Sequence, residues 1–239
     1  MAADPSVRSR WLSLLRSAIY ALIFVPVFIT VISQTVIPPL LVFLVLFVVG
    51  LFVLGRNERN GTIMLGVLAL LFFAISAPFI VEGVSHPDSW SDFIPNAVGV
   101  LGALTAIVAA TALLRNKGTA RVASGFGRII VGIGVVAIIL SIVSSLSVES
   151  DSPQEGDVRL AAEDIEWSPE TLAADGGGAI FVENQDLTRH TFTIDELDID
   201  EELAAGKDVR VELSADPGEY RYYCDVPGHE DMEGTLTVE

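Results

Sequence analysis

The chain has 239 residues, 51% of them hydrophobic, and a formal net charge of −17 at pH 7. Residues 1–150 carry nine basic and six acidic side chains, whereas residues 151–239 carry five basic and 25 acidic ones. The net charge of −20 on the second part argues against nucleic acid as a partner, because phosphates would repel it. It leaves two readings open, a basic protein partner or a charge that only keeps the domain soluble. The single cysteine excludes an internal disulfide.

Five apolar runs in the first part are long enough to cross a bilayer as helices. A transmembrane helix needs about 20 apolar residues, and only a helix satisfies the backbone of a single segment in lipid. The predicted spans are residues 17–32, 36–54, 62–81, 94–114 and 129–146. We therefore predict a five-span α-helical membrane region over residues 1–146.

The basic residues of this region predict its orientation. All nine lie before the first run, between the second and third, or between the fourth and fifth. The positive-inside rule then places the N-terminus of a plasma-membrane protein in the cytoplasm and residue 150 onward outside, in an extracellular or periplasmic space. The first run has a basic start like a signal peptide, but no small-x-small cleavage site follows it, so we predict an uncleaved span.

The spans themselves carry few side chains suited to chemistry. None contains a histidine, and Arg16 and Glu82 lie only at span ends. Proton or ion pathways usually contain ionisable residues inside the membrane. An anchor or docking platform is therefore the favoured interpretation, while a site for a partner subunit or a quinone stays open.

The second part has the pattern of a small β domain. Residues 147–157, SVESDSPQEGD, are polar and acidic and predict a tether. Beyond them, apolar and polar side chains alternate with period two, which indicates strands. The predicted strands lie near 158–167 and 179–183 and in the segments HTFTI, VRVEL, EYRYYC and GTLTVE. Turn residues separate these segments, so we predict an all-β two-sheet sandwich over residues 158–239.

Four side chains of this domain form a candidate metal-binding set: His190, Cys224, His229 and Met232. The alternation places His190 and Cys224 on inward faces. Taken singly, a buried cysteine or methionine is ordinary core packing. Together, two imidazoles, one thiolate and one thioether are the ligand set of a blue copper site. A structural zinc site normally uses no thioether, and iron–sulfur clusters usually need several cysteines.

At these residues the sequence resembles the cupredoxins, the family of plastocyanin, azurin and amicyanin. The resemblance covers residues 157–239 and is strongest in RHTFTI and YYCDVPGHEDMEGTLTVE. It implies an eight-stranded Greek-key sandwich with one mononuclear copper ion, cycling between Cu(I) and Cu(II). The histidine from an upstream strand end corresponds to His190, and the three ligands of the last loop correspond to Cys224, His229 and Met232. The gap between His229 and Met232 is shorter than in several members of the family.

The resemblance also suggests roles for residues around this set. Thr191 follows a ligand directly and is expected to help hold the ligand loops together. Pro227 and Gly228 are expected to shape the loop and to lie over the exposed edge of His229.

The favoured function is one-electron transfer by a membrane-anchored type 1 copper protein on the outer face of the membrane. The resemblance implies a redox protein partner, a cytochrome or a respiratory complex. Copper storage, delivery or sensing without redox turnover is the alternative, and a metal-free interaction module is a third reading. We expect no enzyme, because three histidines are too few for the additional copper sites of nitrite reductases and multicopper oxidases.

Overall fold

The computed structural model describes residues 5–34 and 36–239. Within these residues, six α-helices are followed by nine strands and one short 3-10 helix. The chain divides into two compact units. One comprises the chain up to Ser85 together with Phe93–Leu140, and the other comprises His86–Asp92 together with Ser141–Glu239.

The helices are α1 (Pro5–Ile32), α2 (Pro38–Arg56), α3 (Glu58–Ile75), α4 (Ala77–Ser85), α5 (Trp90–Leu114) and α6 (Ala120–Ser147). Within the described residues, all of them except α4 are long and apolar enough to cross a membrane. This finding confirms a helical region with five long apolar helices.

The predicted span over residues 62–81 is not one helix. It is divided at Ser76, where α3 ends and α4 begins. Pro78 has no amide hydrogen to donate to a carbonyl of α3, so it cannot continue the hydrogen-bond ladder, but it is well tolerated in the first turn of α4. The prediction of one continuous helix to residue 81 was therefore wrong.

Close contact between α2 and α3 depends on a glycine. A Cβ atom at Gly61 would lie 2.2 Å from the Cα atom of Leu54, so only glycine fits there. The buried cluster of the first unit combines large side chains with small ones, such as Phe47 of α2, Leu65 of α3 and Ala106 of α5. Small residues of this kind let membrane helices pack closely.

Arg8, near the start of α1, contacts two connections between helices of the first unit. Its guanidinium lies 2.6 Å from a carboxylate oxygen of Glu58, at the start of α3, and donates to the Asn116 side chain, after α5, at 3.0 Å. The start of α1, the α2–α3 connection and the α5–α6 connection therefore lie at the same end of this unit.

The strands of the second unit form two sheets. They are β1 (Val158–Glu163), β2 (Glu166–Ser168), β3 (Thr171–Ala174), β4 (Ala179–Asn184), β5 (His190–Ile194), β6 (Ile199–Leu203), β7 (Val209–Glu212), β8 (Gly218–Tyr223) and β9 (Glu233–Val238). One sheet has the order β2-β1-β4-β7 and the other β3-β9-β8-β5-β6. This confirms the two-sheet sandwich. It has nine strands where the resemblance implied eight, and one of the nine is the three-residue strand β2, which pairs with β1.

The core of this unit lies between the two sheets. Alternate residues of β9 are buried, as period two requires, and Leu236 and Val238 belong to the core. Strand β5 differs, because all of its residues are buried. On its second face the hydroxyl of Thr193 bonds to the side chains of Thr191 and Asp200, so burial leaves these groups satisfied.

The segment after α6 is bonded to the start of β7. The Asp151 amide donates to the Asp208 carbonyl at 3.0 Å, and the Arg210 amide donates to the Asp151 carboxylate at 2.9 Å. The Lys207 ammonium donates to the Val148 carbonyl at 2.8 Å. The acidic stretch that we predicted as a tether therefore lies along the sandwich.

Candidate metal centre

Three side chains of the sandwich point donor atoms at one another. Sγ of Cys224 lies 3.8 Å from Nδ1 of His190 and 3.6 Å from Nδ1 of His229. The three donor atoms all lie within 4.8 Å of each other, and no other such group of histidine, cysteine or acidic side chains occurs in residues 5–34 and 36–239. His190 and Cys224 are buried, whereas His229 is partly exposed.

The sheet explains why these residues meet. His190 is the first residue of β5, and Cys224 directly follows β8, which is the neighbour of β5 in the same sheet. The antiparallel register pairs Thr193 with Tyr223, so the residues before Thr193 and those after Tyr223, which include His190 and Cys224, lie side by side.

The loop between β8 and β9 supplies His229 and Met232. Backbone hydrogen bonds from Met232 N to His229 O at 2.9 Å and from His229 N to Val226 O at 3.0 Å fold it tightly. Gly228 has φ of +95°, a conformation that favours glycine. Met232 is 1% exposed and packs in the same core cluster as Cys224.

The second ring nitrogen of His190 has its own partner. Nε2 lies 2.9 Å from the Asp186 carboxylate, which also accepts from the amides of Asp164 and Ile165 at 2.9 and 3.0 Å. A carboxylate at Nε2 favours the tautomer whose Nδ1 lone pair faces Cys224. Burial would raise the pKa of the Asp186 carboxyl, but the hydrogen bonds from His190 and the two amides lower it below its ordinary value.

Asp186 was missed by the sequence analysis, because it lies between two of the predicted strands and was not considered as a site residue. A usable signal existed, because a buried histidine needs a partner for each ring nitrogen and an acid lies four residues earlier. Asn184 was missed as well. Its buried side-chain amide donates to the carbonyls of Thr188, Leu203 and Ala204, and so holds the loop that leads to His190.

Thr191 joins the two segments that carry His190 and Cys224. Its amide donates to Sγ of Cys224 at 3.4 Å, and its hydroxyl accepts from the Asp225 amide at 2.8 Å. This agrees with the expected role in holding the loops together. Burial would raise the pKa of the Cys224 thiol, but hydrogen bonds with His190 and His229 and from the Thr191 amide lower it to about 6.

Trp167, on β2, packs beside His190. It is 3% exposed, and its ring centroid lies 6.3 Å from that of His190. Its indole Nε1 donates to the Met232 carbonyl at 3.1 Å. The sequence analysis read it only as the end of a strand, because the contact joins residues far apart in the chain.

Residues His86–Asp92 belong to the same compact unit. The Asp92 carboxylate accepts from the Arg189 amide at 3.0 Å, directly before His190, and the Ser89 hydroxyl accepts from the Ala205 amide at 3.3 Å. The backbone beside one candidate ligand is therefore held by a segment that lies about 100 residues earlier in the sequence.

The donor set fits a copper ion. The thiolate and the thioether suit Cu(I), and the two imidazoles suit Cu(II) as well. The three donor atoms that approach one another are the cysteine sulfur and one nitrogen of each histidine, and the remaining nitrogen of His190 is already bound to Asp186. A structural zinc site with four cysteine or histidine ligands does not match this set.

Comparison with solved structures finds low similarity. A copper-containing nitrite reductase from Thermus scotoductus is 20% identical with a TM-score of 0.32, and the match covers 39% of this chain and 24% of that one. Amicyanin from Paracoccus versutus is 19% identical with a TM-score of 0.32, covering 37% of this chain and 86% of that one. A purple cupredoxin from Nitrosopumilus maritimus is 19% identical with a TM-score of 0.30, covering 35% and 100%. The chain thus spans about a quarter of the length of the nitrite reductase.

No curated protein matches the chain. The family of cupredoxin-like domains matches residues 134–238, which include the sandwich and all four candidate ligands. Cupredoxins bind one copper ion, and candidate ligands of the types they use, His190, Cys224 and His229, approach one another in this domain. The chain therefore carries a cupredoxin-like domain, which follows, along the sequence, a helical region with five long apolar helices.

Proposed function

We propose that this chain is a membrane-anchored type 1 copper protein that carries single electrons and has no substrate of its own. His190, Cys224, His229 and Met232 would hold the ion. The observation that carries the proposal is the convergence of one cysteine sulfur and two histidine nitrogens within 4.8 Å. Copper bound there would supply a one-electron couple between Cu(I) and Cu(II).

Hydrogen bonds within the protein hold two of these side chains in place. Asp186 fixes the ring of His190, and the Thr191 amide donates to the sulfur of Cys224. Because His190 and Cys224 are buried, water has little access to their side of the site. Ligands held in this way rearrange little between two oxidation states, which favours fast electron transfer.

A partner would meet the site at His229, the ligand ring that is partly exposed. Acidic side chains of the same loop, those of Asp225, Glu230 and Asp231, are exposed around it. Opposite charges accelerate encounter between proteins. We infer a basic redox protein as partner, such as a cytochrome or a subunit of a respiratory complex.

The helical region would keep this domain at a membrane. In this proposal residues 1–146 form a multi-pass membrane region, residues 147–157 a tether and residues 158–239 the copper domain. The contacts of Arg8 with Glu58 and Asn116 support an arrangement in which the basic connections share one side. The positive-inside rule then gives a cytoplasmic N-terminus and an extracellular or periplasmic copper domain.

The test is a visible absorption spectrum of the full chain, purified in detergent and loaded with Cu(II), beside that of Cys224→Ser. We expect an intense thiolate-to-copper charge-transfer band that is lost in the variant. A colourless parent, or a spectrum that the substitution leaves unchanged, would overturn the proposal. If the band is present, a reductive titration follows. Reversible reduction without loss of copper would distinguish an electron carrier from a protein that stores or delivers copper.

A further inference from the structure

Trp167 and Met232 connect the two sheets beside the candidate site. Trp167 lies on β2, at the edge of the four-stranded sheet. Met232 directly precedes β9, in the five-stranded sheet. The indole N–H of Trp167 donates to the Met232 carbonyl at 3.1 Å, and this hydrogen bond is buried. A donor from one sheet therefore fixes a loop residue of the other.

The Met232 carbonyl accepts a second hydrogen bond. The Cys224 amide donates to it at 3.0 Å, which adds one more pair to the β8–β9 hairpin. A carbonyl has two lone pairs, and here each has a donor from a different element. The backbone of Met232 is thereby fixed to Cys224 within its own hairpin and to Trp167 across the sandwich.

The position of Trp167 is itself determined by packing. Its ring lies edge-on to those of Phe192 and Tyr222, with centroid distances of 5.9 Å to each. A buried indole N–H needs an acceptor, and the Met232 carbonyl is the acceptor for Trp167. The ring of Trp167 is thus packed in the core, and its N–H is hydrogen-bonded to the ligand loop.

A methionine side chain needs such support because its three rotatable bonds define its position poorly. Side-chain packing and the backbone must together set where its sulfur lies. Met232 is 1% exposed, so its side chain cannot move away into solvent.

We propose that Trp167 is a positioning residue for Met232, and through it for the thioether side of the proposed copper site. The proposal rests on the proposed function, because it assigns Met232 the role of a weak ligand. Trp167 does not contact the ion in this proposal. It sets the backbone from which the thioether reaches the site.

The experiment compares Trp167→Phe with Tyr222→Phe in the full chain, loaded with Cu(II). Each removes one hydrogen bond from the same aromatic cluster, but the Tyr222 hydroxyl donates to the Pro169 carbonyl and not to the ligand loop. We expect Trp167→Phe to change the ratio of the visible charge-transfer bands and the copper hyperfine splitting in electron paramagnetic resonance. We expect Tyr222→Phe to retain the parent values of both.

A double-variant cycle tests the route of the effect. In a Met232→Leu background, Trp167→Phe is expected to cause no further spectral change, because the thioether through which it acts is gone. An equal change in both backgrounds would overturn the proposal and assign the effect to packing against His190. Parent-like spectra for Trp167→Phe would overturn it as well.

A second measurement does not require the Trp167→Phe variant to fold. In the Cu(I)-loaded chain with ¹⁵N-labelled tryptophan, Met232→Leu is expected to shift the indole N–H resonance of Trp167 and to leave those of Trp11 and Trp90 in place. An unshifted Trp167 resonance would overturn the proposal. A parent chain without any charge-transfer band would instead contradict the proposed function, so the two failures are distinguishable.

Discussion

Nε2 of His190 lies 2.9 Å from the carboxylate of Asp186, four residues earlier in the chain. The buried imidazole therefore presents its other nitrogen to Cys224, at 3.8 Å from the sulfur. One acidic side chain thus sets both the tautomer and the orientation of the ring on which the site depends.

The first prediction concerns this acid. Asp186→Ala should weaken Cu(I) binding by about 10- to 100-fold, the usual cost of losing a hydrogen-bond partner of a metal-binding histidine. Asp186→Asn should reduce the Cu(I) affinity less, because its side-chain oxygen still accepts hydrogen bonds from backbone amides. Competition with a Cu(I) chelator measures both values. Glu219→Ala, at an exposed position of β8, is the control, and an Asp186→Ala affinity equal to that of this control would contradict the assignment.

Much of the sandwich, and the approach of His190, Cys224 and His229 to one another, could be predicted because their signals are local. Strands such as β8 and β9 have alternating side chains, and the four candidate ligands belong to rare residue types in this chain. Strand β6 was missed because its sequence, IDEEL, is mostly acidic, and β3 was missed because TLAA is short. Pairing with neighbours, which a single segment does not reveal, makes them strands.

The supports of the site could not be predicted in the same way. The contact of Trp167 with Met232 joins residues 65 positions apart, and that of Thr191 with Asp225 joins residues 34 apart. Such pairs depend on how the sheets pack and on the register of β5 and β8. Sequence periodicity gives the face on which a residue lies, but not its partner across the sheet.

The second prediction concerns the Thr191 hydroxyl. Thr191→Val keeps the shape of the side chain but leaves the Asp225 amide without its acceptor. This hydrogen bond is part-buried and Asp225 is exposed, so its loss should lower the free energy of unfolding by about 0.5–1.5 kcal/mol, the usual net contribution of a hydrogen bond, and copper should dissociate faster. Thr193→Val is the matched control, because it removes the bond to Asp200 but leaves the Asp225 amide paired. Equal copper dissociation rates in the two variants would refute a specific role for Thr191.

The third prediction concerns the close approach of β9 to Tyr222. A Cβ atom at Gly234 would lie 2.3 Å from the Tyr222 ring and 2.6 Å from the Glu170 carbonyl oxygen, which is backbone and cannot turn away. Gly234→Ala should therefore destabilise the domain by about 1–3 kcal/mol, as overpacking does. Gly177→Ala is the control, since no atom lies within 4 Å of its Cβ position. Thermal unfolding followed by near-ultraviolet circular dichroism measures both, and equal midpoints would be the contrary result.

The fourth prediction is a pH dependence. The Arg210 guanidinium bonds both carboxylate oxygens of Asp157 at 3.0–3.1 Å and lowers the pKa of that carboxyl. A carboxyl whose pKa is lower in the folded state stabilises it above the unfolded pKa of about 3.9, and this contribution is lost as the pH falls through the folded value. Urea unfolding of the metal-free chain between pH 7 and pH 3, followed by Trp167 fluorescence with Trp11 and Trp90 replaced by Phe, should show this loss.

Asp157→Asn separates this contribution from general acid unfolding. The variant should be less stable than the parent at pH 7, and the difference should shrink below about pH 4, where the parent loses its own contribution. Glu219→Gln, at an exposed position, should follow the parent curve throughout. A stability difference between Asp157→Asn and the parent that is constant over the whole range would mean that the ion pair does not account for the effect.

The last prediction concerns the acidic rim of the site. Asp225 and Asp231 are exposed on the loop that carries His229, and the proposed partner is basic. Replacing both with Asn should slow electron transfer to a basic cytochrome several-fold at low ionic strength, and the difference should vanish at high salt, where exposed charges are screened.

The control for this prediction changes the same net charge at the other end of the sandwich. Asp175 follows the end of β3 that pairs with the end of β9, and Glu219 pairs with Thr237, so both lie far along the strands from the ligand loop. Asp175→Asn with Glu219→Gln should leave the rate near that of the parent. If both double variants slow transfer equally in stopped-flow measurements, net charge alone governs the encounter, and the partner has no preference for the surface around His229.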